Sequence, residues 1–83
     1  MTDPFELSII YKGQEKNYTG YLLLQGHSHK FKVLIDEQEV FFEPDEEGSY
    51  RAIKMPWQEE KELRKIDTQL LLLVQQKIEE ILR

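Results

Sequence analysis

The chain contains no cysteine. No disulfide or thiolate–metal centre reinforces it, which fits a reducing, cytoplasmic setting. Long apolar runs are missing as well. The longest is Leu70–Val74, far short of the ~20 residues that span a bilayer. Met1–Leu7 is acidic and interrupted by Pro4, so no signal peptide is expected. An excess of positive charge is also lacking: 11 Lys and Arg stand against 16 Asp and Glu, for a formal charge of −5. Nucleic-acid binding draws mainly on Lys and Arg at phosphates, so this balance argues against it.

Catalytic signatures are missing too. The sequence holds no Ser–His–acid order, glycine-rich phosphate loop or HExxH motif. Its carboxylates sit in runs, as on a wet surface. Eighty-three residues form one domain, 1–83, that buries only roughly 60–65% of its unfolded surface and leaves little room for a concave site. Neither catalysis nor a cofactor is expected.

What is present is alternation. Phe31, Val33 and Ile35 alternate with Lys32, Leu34 and Asp36, and Val40 and Phe42 return against Phe41 and Glu43. This is the period of a hairpin with one buried face. Two loops fit. One at Asp36-Glu37 sets Val33 opposite Val40 and Phe31 opposite Phe42. One at Glu37-Gln38 sets Ile35 opposite Val40 and Lys32 opposite Glu43. Both keep the same side chains on the same face, and without Asn-Gly or Asp-Gly the turn type stays open.

The pattern repeats on either side. Phe5–Tyr11 reads as a first strand, Gly13–Asn17 as a turn, and Tyr18–Gln25 as a second strand. Gly26–His29 turns into the central hairpin. Pro44–Gly48 ends the fourth strand, and Ser49–Ile53 is a short fifth. Short connections imply a meander.

From Pro56 the period becomes helical: Leu63, Ile66, Leu70, Leu73, Val74, Ile78 and Ile81 share a stripe. Asp67 falls inside it. A buried unpaired carboxylate is costly, so Asp67 reads as an N-cap, with Ile66 and Leu71 at the staple positions. A helix from Thr68 to about Leu82, within the segment 67–83, also matches the sheet width of ~20–25 Å. Residues 54–66 are a linker, with Trp57–Lys65 a helical turn or loop in which Glu60 and Arg64 pair at i,i+4. The fold class is α+β: a five-stranded antiparallel meander, 5–53, with one C-terminal helix on one face.

The helix-bearing face collects Phe5, Leu7, Ile9, Leu22, Leu24, Phe31, Val33, Ile35, Val40 and Phe42, with Tyr50 and Ala52 unassigned. The second face carries Ile10, Tyr21, Leu23, Leu34 and Phe41 within a polar rim of Ser8, Lys12, Thr19, Lys32 and Glu43. An apolar centre with a polar rim suits a partner, another protein or a homodimer. The competing reading is that Trp57 and Met55–Lys65 fold over it.

His27 and His29 bracket Ser28 and are weak metal candidates: two imidazoles with no third ligand at a readable spacing. A polar turn is the simpler reading. With Lys30 and Lys32 they form a small basic spot, outweighed by the net charge. Asp45-Glu46-Glu47 lacks the spaced oxygens of a calcium loop, and Arg51 is placed to pair with it. Asn17-Tyr18-Thr19 matches a glycosylation acceptor, which carries no weight without a secretion signal.

Within Gly26–Ala52, His29-Lys30-Phe31, Phe42-Glu43-Pro44-Asp45-Glu46-Glu47 and Tyr50-Arg51-Ala52, with Ile53 after them, and the Ile66-Asp67 helix start resemble a family of short, uncharacterised bacterial proteins. Members carry Gly after the hairpin Asp, where Glu37 stands here. The resemblance implies this fold and a bacterial cytoplasmic setting. It transfers no catalytic residue.

Overall fold

The structure, a computed structural model, describes residues 4–81, the side chain of Gln25 apart. Five strands, β1 (Phe5–Tyr11), β2 (Gln14–Gln25), β3 (Ser28–Ile35), β4 (Gln38–Pro44) and β5 (Tyr50–Ile53), form one antiparallel sheet in chain order. A short helix α1 (Glu60–Leu63) and a longer one, α2 (Thr68–Ile81), follow. The expected meander and covering helix are both present. The expected last helical residues, 82 and 83, lie outside the described residues.

Three two-residue turns set the registers. Asp36 and Glu37 both take positive φ, 49° and 67°, the pattern of a type I′ loop. Phe31 therefore faces Phe42 and Val33 faces Val40, the first of the two registers. Lys32 stands opposite Phe41, so it reaches diagonally to Glu39, at 3.2 Å, instead of Glu43. Lys12 and Gly13, at φ 51° and 77°, close the first hairpin the same way. The turn is thus two residues long, and β2 begins at Gln14. The segment 14–17, read from sequence as part of a turn, is strand, secured where the Ser8 hydroxyl donates to Asn17 Oδ1 across it at 2.7 Å. Gly26 alone takes positive φ, 59°, in the Gly26-His27 turn, as a type II′ turn requires.

The last turn is longer. Asp45 organises it: its Oδ1 accepts the Glu47 and Ser49 N–H groups at 2.8 and 3.0 Å. Ser49 therefore belongs to the turn, and β5 starts at Tyr50 opposite Pro44. That register puts Tyr50 and Ala52 on the helix face, where Tyr50 is buried.

The core lies between this face and α2. Leu7, Val33, Ile35 and Phe42 meet Leu70, Val74 and Ile78. Leu24, on the same face by register with His29, lies beyond the helix and is 70% exposed. Asp67 is the N-cap, its Oδ1 accepting the Gln69 N–H at 3.0 Å. The Tyr11 hydroxyl donates to the other oxygen, Oδ2. At the far end, Glu79 Oε2 accepts the Tyr50 N–H at 3.0 Å. Helix α2 thus crosses from β1 to β5, fixed at both ends. Ile66, buried, and Leu71 line one cleft beside Val40, as a hydrophobic staple places them. The Arg64–Glu60 pair forms at 2.8 Å.

Candidate interaction surface on the second sheet face

Register decides which residues of the second face meet. Tyr21, Lys32, Phe41 and Ile53 form one row across four strands. On one side of it Leu34 faces Glu39, and on the other Leu23 faces Lys30. Exposed Leu34 and half-buried Tyr21 and Leu23 lie along one strip centred on the Lys32 row. Ile10 does not belong to it. It faces Glu15, beyond the polar Ser8–Asn17 pair, and stands alone at 64% exposure.

Lys32 is the polar centre of the strip. Its Nζ lies 4.9 Å from the Tyr21 ring centroid and 3.2 Å from Glu39 Oε2. The stem covers apolar surface while the charge is shared between ring and carboxylate.

Phe41 is a correction. It is 4% exposed, because Trp57 packs edge-on over it with ring centroids 5.9 Å apart. Gln58 holds this flap down: its Nε2 donates to the Glu39 carbonyl at 2.6 Å and its Oε1 accepts the Met55 N–H at 2.9 Å. The covering reading is therefore realised at Phe41. The chain covers Phe41 and leaves Tyr21, Leu23 and Leu34 open. Trp57, named in sequence only as a cover, is itself 65% exposed and extends the open surface. Nothing in the sequence marks Gln58 as the tether.

The remaining candidates separate. His29 sits on the helix face, its Nε2 2.7 Å from the Tyr50 hydroxyl, while His27 is exposed in its turn. Strand alternation sends Lys30 and Lys32 to the opposite side from His29, so the basic spot is not assembled. Among the described residues, no three His, Cys, Asp or Glu side chains are grouped to hold a metal. Arg51 pairs with Glu43 at 2.9 Å across the ladder, not with the Asp45–Glu47 turn, because the two are directly opposite. Among the described residues no helix is long and apolar enough to cross a membrane.

Three tyrosines and one carboxylate have shifted ionisation; burial raises Tyr18, on the helix face. The Asp67 bond raises Tyr11, and Tyr11 together with the Gln69 N–H lowers Asp67. Burial, with Glu79 nearby, raises Tyr50. Tyr11, Asp67 and Tyr50 lie at the ends of α2, so their shifts belong to the helix anchors and not to the second face. Comparison of the chain with known protein families, curated proteins and solved structures finds no match.

Proposed function

We propose that this chain is a small non-enzymatic interaction module that contacts partners, a second copy of itself included, through the second sheet face. One observation carries the reading: Tyr21, Leu23 and Leu34 stay accessible beside Phe41, which the chain does cover. The face holds both charge signs, Lys30 and Lys32 against Glu39 and Glu43, as a self-complementary surface needs. Its size sets the strength. Five strands spaced ~4.8 Å apart give a footprint on the order of 500 Å². Stable complexes bury about 800 Å² per partner, so contact here is weak and transient. A cytoplasmic location is part of this reading, supported by the cysteine-free composition.

Light scattering over a wide concentration range tests it. Wild type gains mass as concentration rises, and Leu34→Glu stays at monomer mass with unchanged circular dichroism. A wild type that remains monomeric at the highest concentration, or a Leu34→Glu variant that associates equally, counts against the proposal.

A further inference from the structure

Beside Glu39 the flap leaves a cleft of roughly 210 Å³. Trp57 and Leu63 form its apolar walls, and Glu39, Glu59 and Glu62 stand around it. An exposed indole bordered by carboxylates is matched by one side-chain chemistry. A guanidinium stacks on the ring through its planar face and donates in pairs to carboxylates at its edge. We infer that this cleft receives an arginine side chain from a basic segment of a partner protein.

The three carboxylates are not idle. Glu39 pairs with Lys32 at 3.2 Å, Glu59 with Lys61 at 3.6 Å and Glu62 with Lys65 at 3.2 Å. The Glu59 and Glu62 pairs are solvent-exposed lysine pairs, the kind worth little and readily exchanged, whereas Lys32 beside Glu39 is half-buried. Lysine supplies a point charge to each acid. It does not supply the flat, weakly hydrated surface that Trp57 presents itself to. The chain's charge of −5 adds a field that draws basic segments and repels nucleic acid. The inference names the partner's chemistry within the interaction-module reading, yet it uses a different set of residues from Leu34.

Trp57 is the only tryptophan, so its fluorescence reports the cleft directly. The probe is an acetylated, amidated tri-arginine peptide, with tri-glutamate as control. A saturable change in Trp57 emission is expected with tri-arginine alone. Raised salt weakens it, and Glu59→Gln with Glu62→Gln, which leaves Trp57 in place, weakens it about tenfold. No saturable change, an equal response to tri-glutamate, or undiminished binding by the double variant overturns the inference. The two proposals fail separately: if Leu34→Glu abolishes self-association while tri-arginine leaves Trp57 unmoved, only the cleft assignment falls.

Discussion

The Tyr11 hydroxyl donates to the Asp67 carboxylate, joining the last residue of β1 to the N-cap of α2. This bond ties the start of the helix to the end of the first strand. It needs a protonated tyrosine and an ionised aspartate. Asp67 is held below its ordinary value, first by the Tyr11 bond and then by the Gln69 N–H. Its contribution is complete above the unfolded-state value of about 4 and is lost as pH falls through the lower folded value. Tyr11 is raised, chiefly by the same bond. Its contribution is complete below about 10 and is lost as pH rises through the higher folded value. Thermal melts across pH are expected to show both losses, and Tyr11→Phe to flatten the alkaline limb and shrink the acid one. Identical profiles for the two proteins would show that the bond is idle.

The turn at Asp36-Glu37 carries two non-glycine residues at positive φ. An L-residue pays roughly 1–2 kcal/mol in that region, and glycine pays almost nothing there. Glu37→Gly is expected to stabilise the domain by about 1 kcal/mol in urea unfolding, after allowing for glycine's extra unfolded-state entropy. A destabilised variant would contradict the I′ assignment.

Gly20 is kept free of a side chain by Phe5. A Cβ at Gly20 would lie 2.9 Å from two ring carbons of Phe5, and that ring packs edge-on against Phe31 at 5.6 Å. Alanine in a strand normally gains about 0.5–1 kcal/mol over glycine. Here Gly20→Ala is expected to destabilise, whereas in a Phe5→Ala background it stabilises. A coupling of roughly 1–2 kcal/mol follows from a double-mutant cycle. Additive effects would show that the ring moves aside freely.

Phe41 and Leu34 lie on the same face, yet they are expected to behave differently. Phe41→Ala removes a covered ring and costs about 3–5 kcal/mol. A domain of this size holds roughly 4–12 kcal/mol in total, so a large unfolded fraction is expected. Leu34→Glu, at a position 38% exposed, leaves the melting temperature nearly unchanged. Equal losses for the two would mean that the flap does not distinguish them.

Much of this architecture is legible from period alone. Alternation in Phe31–Phe42 names the buried face because both loop choices preserve it. Asp67 betrays itself as a cap because a carboxylate has no place on an apolar stripe. The registers are less legible. Lys12 and Asp36-Glu37 adopt positive φ without the Asn-Gly signal that announces it, so strand pairing and the long β2 are settled by backbone geometry that the side chains do not advertise. Tyr50 depends on the count of residues after Pro44, which Asp45 fixes through hydrogen bonds. On the candidate surface, the strip of Tyr21, Leu23 and Leu34 follows from alternation. The loss of Phe41 and the isolation of Ile10 do not, because the first depends on Gln58 tethering a loop and the second on the sheet's register.

Amide chemical shifts recorded over a dilution series test the second face most directly. Contact through it predicts concentration-dependent shifts at Tyr21, Leu23 and Leu34, with the α2 amides around Val74 unmoved. Shifts confined to α2, or a spectrum that does not change between dilute and concentrated samples, would contradict it.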